Sequence, residues 1–139
     1  MDMELPLKHL PSVMEIEEQL QNCSDRVLKE RLWRQRSVRR LVGDGQNAHF
    51  GVWLWRLGDS ILIGHPNEAY SSFQIDLRKM LAPYPVAVMN ITNGSIGYLP
   101  PQELFDYELY QVWQTPFASG GLELMTDKIF RTAQILLRQ

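Results

Sequence analysis

The sequence predicts a single α/β domain: a small mixed sheet, made of a hairpin and a parallel β-α-β unit, packed with helices. Three observations predict it. Apolar residues recur at helical spacing from Val13 to Val27. Two β-rich runs flank the turn pair Gly58-Asp59, which is a hairpin signal. A helical stretch then leads to a third run, Pro85 to Ile91, whose unbroken apolar character suits a strand covered on both sides.

The elements follow in order. Met3 to Leu7 alternates weakly around Pro6 and reads as an edge strand or an extended lead-in. Ser12 followed by Glu15 forms a capping box, and Val13, Ile16, Leu20, Cys23 and Val27 lie on one helical face behind it. This helix continues to about Val42, with a break expected near Asn22-Cys23-Ser24, and Gly43-Asp44-Gly45 ends it. Cys23 is expected at a buried helix position. His49 to Leu57 is one strand, and Ser60 to Gly64 is the second. A helix begins near Asn67, with Ala69, Phe73, Leu77 and Met80 on its apolar face, and Pro83 and Pro85 stop it. Residues 93 to 101 are a loop by composition, 101 to 107 hold a helical turn, and 110 to 117 are irregular or extended. Ser119 caps a last helix whose face is Leu122, Met125, Ile129, Ala133 and Leu136.

The composition narrows the function classes. The chain has 139 residues, 45% hydrophobic and 22% charged, which suffices for one core and gives no sign of a second domain. A net charge of −2 supplies no general attraction to nucleic acid, and none is expected as a partner. No apolar run approaches the roughly 20 residues that cross a bilayer, and residues 1 to 10 do not resemble a signal peptide. One cysteine excludes an internal disulfide and a CxxC zinc site. Arg26 to Arg40 is rich in arginine, with acids earlier in the same segment. That order complements a helix dipole and reads first as a solvated face; an acidic-ligand surface is the other reading.

In an α/β sheet, ligands gather beyond the carboxyl ends of parallel strands. Two segments meet this condition: His65 to Tyr70 after the second strand, and Asn90 to Tyr98 after the third. If the two strands are neighbours, Glu68 and Tyr98 face one cleft, with His65 at its mouth and Asn67, Asn93 and Gly97 as further candidate lining residues. Each has a plainer role open to it. Glu68 in a first helical turn stabilises a dipole, His65 before a proline is a hydrogen-bonded loop residue, and Tyr98 anchors a loop. No G-x-S-x-G, HExxH or P-loop pattern occurs.

At these two segments the chain resembles a known family. Leu57-Gly58-Asp59-Ser60-Ile61-Leu62-Ile63-Gly64-His65-Pro66-Asn67-Glu68-Ala69, with Asn93-Gly94-Ser95-Ile96-Gly97-Tyr98-Leu99-Pro100-Pro101-Gln102-Glu103 after it, is similar to the C-terminal part of the catalytic domain of neutral/alkaline, non-lysosomal ceramidases. The likeness runs over about residues 50 to 138 and places the chain in a distant branch. It implies a zinc-dependent amide hydrolase in which Glu68 and Tyr98 are two metal ligands. Two histidines would come from an N-terminal catalytic region outside these residues, and that region would be this chain's partner. The resemblance implies zinc in the complete parent, little tight binding by this chain alone, no activity in isolation, and an exported parent. The rival expectation is a non-catalytic interaction domain or homo-oligomer. It rests on four tryptophans, two of which, Trp53 and Trp55, share one strand face that needs a cover.

Overall fold

The computed structural model describes residues 1–139. It is an α/β arrangement in which helices and three small sheets share one main core. The first helix, α1 (Val13–Asn22), starts at the expected capping box: the Glu15 carboxylate accepts from Ser12 N at 2.7 Å, and Glu15 N donates to the Ser12 hydroxyl at 3.2 Å. The chain leaves the helix at Cys23, which is extended and half-buried rather than buried in a helix. Asp25 then accepts from Leu28 N at 2.7 Å and caps α2 (Arg26–Val42). The predicted break is thus a full stop and restart. Ile16, Leu20 and Leu32 form a small cluster that closes α1 on α2. Gly43, at φ 76°, ends α2.

The expected single strand from His49 to Leu57 is two. Strand β1 (Asp2–Pro6) pairs antiparallel with β2 (Asn47–Gly51), in a sheet of their own. Val52 continues the β1 register, its N–H donating to Met1 O at 2.9 Å and its carbonyl accepting from the Met1 amine at 2.7 Å, and beyond it β3 (Trp53–Leu57) turns into the hairpin with β4 (Ser60–Gly64). The helix predicted from Asn67 starts later, as α3 (Ser71–Met80). Glu68–Ala69 is instead a two-residue strand, β5. α3 connects β4 to β6 (Val86–Met89), and these two strands pair in parallel as expected, Ile61 facing Val86 and Gly64 facing Met89. Strand β7 (Tyr98–Leu99) pairs in parallel with β5.

A 3-10 turn at Gln102–Leu104 and the short helix α4 (Tyr110–Gln114) follow. The stretch expected to be irregular therefore begins with a helix. Helix α5 (Gly121–Leu137) closes the chain. Its N-cap is Gly120 at φ 86°, not Ser119, since only glycine takes that conformation without strain.

Met3, Leu5, Ile61, Ile63, Phe73, Leu77, Phe117, Met125 and Ile129 fill the main core, all but free of solvent contact. α3 packs against α5 and β6, and α5 reaches both β1 and β3. Period-two alternation puts Ile61, Ile63, Val86 and Val88 on the helix side of the β3–β4–β6 sheet. The other face carries Trp53, Trp55, Leu57, Leu62, Ala87 and Met89, and Trp55 and Leu57 stay 43% and 62% exposed. None of the 17-residue helices or their neighbours is long and apolar enough to cross a membrane.

Candidate functional site

The chain continues from β4 into β5 through His65-Pro66-Asn67, and from β6 into β7 through residues 90 to 97. The two connections are stitched together by backbone. Thr92 N donates to His65 O at 2.9 Å, Ile96 N to Pro66 O at 3.1 Å, and Ile91 N to Asn67 O at 3.3 Å. The Asn90 side chain adds a bond to Ala69 O at 3.0 Å. Ile91, Asn93 and Gly94 all take positive φ in the return bend. This stitching carries the parallel register of β4 and β6 forward, so that Glu68 and Tyr98 become direct Cα partners in β5–β7.

Glu68 N donates to Gly97 O at 2.9 Å, and the Thr115 hydroxyl donates to Tyr98 O at 2.7 Å, which fixes β7 from its other side. Residues opposite each other in a ladder project to the same face. Both Glu68 and Tyr98 line one cavity of about 240 Å³, together with Gly97, Ser95, Tyr110 and the α2 residues Trp33, Arg34 and Val38. The Tyr98 and Tyr110 rings meet edge to face at 6.0 Å, and Arg34 reaches the Tyr110 hydroxyl at 3.3 Å while pairing with Glu30 at 2.6 Å.

The electrostatics of the pair follow from this crowding. The Tyr98 phenol is held above the usual tyrosine range, first by burial and then by the negative charge of Glu68 and the proximity of Tyr110; Arg34 opposes the shift. At neutral pH the Tyr98 phenol is therefore protonated.

The other expected lining residues lie elsewhere, Gly97 excepted. His65 and Asn67 are fully buried behind the cavity. His65 stacks edge to face on Phe73 at 5.1 Å, and neither of its ring nitrogens has a hydrogen-bond partner. Burial pushes its pKa down to about 4, so it is neutral over the physiological range. Asn67 places its amide nitrogen 3.7 Å from the Met125 sulfur and leaves its Oδ1 unpaired. Asn93 is exposed on the bend. Conversely, Trp33, Arg34 and Tyr110 were not anticipated at the cavity. The spacing of Arg34 and Val38, one turn apart, was the available signal that this face of α2 lies against something.

A carboxylate and a phenol oxygen are oxygen donors of the kind zinc accepts among four ligands. A dication beside them would also oppose the burial and the Glu68 charge that raise the Tyr98 pKa. No group of three or more His, Cys, Asp or Glu side chains gathers in this chain to complete such a shell. A zinc held here would have at most two oxygen donors from this pair and would need its other ligands from elsewhere.

No protein-family model, curated protein or solved structure matches this chain.

Proposed function

We propose that this chain is the C-terminal portion of a ceramidase-like, zinc-dependent amide hydrolase and contributes the oxygen half of its metal site. The observation that carries the reading is the direct β5–β7 partnership of Glu68 and Tyr98, 30 positions apart in sequence, on the wall of one cavity. Glu68 would hold the metal as a carboxylate and Tyr98 through its phenol oxygen. Two imidazoles from a region beyond these 139 residues would fill the remaining protein positions. Zinc bound there would polarise an amide carbonyl and lower the pKa of its bound water. This chain's own part is to fix two ligand oxygens on a short, rigid ladder, and to close one side of the site with Tyr110 and α2. Two protein ligands alone give weak affinity.

A zinc titration by calorimetry on the chain and on Glu68→Gln and Tyr98→Phe tests the assignment. We expect a dissociation constant weaker than about 10 μM for the unaltered chain and roughly tenfold weaker binding in each variant. Tight stoichiometric zinc, or binding that both variants leave unchanged, would overturn it.

A second reading, a non-catalytic interaction domain, is favoured by the bare outer face of the β3–β4–β6 sheet. A parallel pair with apolar residues on both faces is ordinarily covered on both. Here Trp55, Leu57 and Met89 stand in solvent.

A further inference from the structure

Beside the Glu68–Tyr98 cavity, and sharing only Tyr110 with it, lies a second hollow of about 430 Å³ between α2 and the segment 107–113. Arg31 sits at its wall, its guanidinium 5.3 Å from the Tyr110 ring centre and 5.9 Å from that of Trp113. Tyr107, Leu109 and Val112 supply the rest of the apolar lining.

The arginines along this part of α2 differ in one respect. Arg34 pairs with Glu30, Arg36 and Arg40 with Glu17, and Arg39 with Asp44. Arg31 is half-buried and has no carboxylate partner, although Glu108 stands exposed on the rim of the hollow. Its charge is held by two aromatic rings alone. A guanidinium carries five N–H donors in a planar fork, and stacking on rings leaves the edge of that fork open to an oxyanion. The hollow is also pre-formed. Gln114 donates to the Arg31 carbonyl at 3.2 Å, tying α4 to α2, and the Lys8 ammonium bonds the carbonyls of Val112 and Trp113 at 2.9 Å each. Little ordering is left for a ligand to impose.

We propose that this hollow binds a small amphiphilic carboxylate, with the anionic group on the Arg31 fork and the apolar body against Tyr107, Tyr110 and Trp113. The charge of the unpaired arginine selects the anion, and the aromatic walls select an acyl or aryl chain over a bare ion. The site uses neither Glu68 nor Tyr98, so it stands whether or not those residues hold zinc.

Calorimetric titration of the chain with octanoate, octanamide and octylammonium tests this. These probes share the chain and differ in the head group. A charge-assisted fork contact predicts octanoate binding about tenfold more tightly than octanamide, with octylammonium weaker still. Arg31→Met keeps the apolar stem and is expected to abolish the preference while leaving octanamide affinity unchanged. Glu68→Gln with Tyr98→Phe is expected to leave octanoate binding intact, which separates this site from the zinc reading. Equal affinity for octanoate and octanamide, no saturable octanoate binding up to about 1 mM, or a preference that survives in Arg31→Met would overturn the proposal. Should Arg31→Met not fold, the comparison of the three ligands on the unaltered chain decides alone.

Discussion

Glu68 and Tyr98 are paired residues of a two-strand parallel ladder, and the carboxylate of one raises the pKa of the other's phenol. The pairing is a consequence of topology. Strands β4 and β6 run side by side, the loops beyond them are bonded to each other, and the two residues emerge at the same height on the same face.

Removing the charge of Glu68 should lower the Tyr98 pKa. In Glu68→Gln the carboxylate's contribution disappears while burial, the larger cause, remains. The Tyr98 phenol should therefore titrate below its position in the unaltered chain but still above an exposed tyrosine. Tyrosinate absorbance against pH reads this, with Tyr98→Phe identifying the step. An unchanged titration would show that the two side chains do not sense each other.

His65 should make the fold acid-sensitive. Its folded pKa is lowered to about 4 from an ordinary 6.5, so on acidification the unfolded chain takes up the proton first. The stability associated with neutral His65 is complete above pH 6.5 and is lost as pH falls toward 4, by at most about 3 kcal/mol at 1.36 kcal/mol per pH unit. His65→Leu removes two unpaired buried nitrogens and should flatten this slope without loss of stability near neutrality. Urea midpoints at several pH values measure it; an equally steep acid loss in the variant would place the sensitivity elsewhere.

Gly97 should tolerate no side chain. It sits at φ 103°, and a Cβ there would lie 2.9 Å from Pro116 Cδ. Gly97→Ala is expected to cost about 2 kcal/mol or more from backbone strain and overlap, and to pull β7 away from β5. Denaturant unfolding checks the first effect. The second should appear as loss of the Glu68-dependent shift of Tyr98.

The bare sheet face should drive self-association. Trp55, Leu57 and Met89 form an uncharged patch flanked by Trp53, Leu62 and Ala87. Sedimentation of the unaltered chain should show mass rising with concentration, and Trp55→Lys should suppress the rise at little cost to stability, because residue 55 is 43% exposed. A strictly monomeric chain at all concentrations would remove the interaction-domain reading.

The parts of this fold legible in the sequence are those set by local chemistry. Ser12 and Glu15 form their reciprocal cap within four residues, Gly58-Asp59 makes a two-residue turn, and the apolar face of α5 recurs at helical period. The hairpin and the parallel β4–β6 pair followed from pattern and connection length. What pattern could not supply was set by distant partners. Glu68–Ala69 is a strand only because residues 98 and 99 lie beside it, so a helix start four residues early fitted the sequence equally well. Val52 still pairs with Met1 in the β1 register, and the run divides into two strands because residues 53 to 57 pair with β4 instead. His65 and Asn67 look like site residues in sequence and are core residues in space, since the whole connection Gly64 to Asn67 is buried beneath the loop from residue 90 to 97 that its backbone bonds to. The walls contributed by Trp33, Arg34 and Tyr110 depend on how α2 and α4 settle against β7, which no local pattern encodes.

The most direct test of the proposed metal half-site is a crystal structure of this chain soaked in zinc, with the metal located by anomalous scattering at its absorption edge. A zinc peak is expected in the cavity, at roughly 2.0–2.2 Å from a Glu68 carboxylate oxygen and from the Tyr98 phenol oxygen. A peak only elsewhere, for instance on the exposed His49 beside Glu4, or no peak between Glu68 and Tyr98 at millimolar zinc, would contradict it.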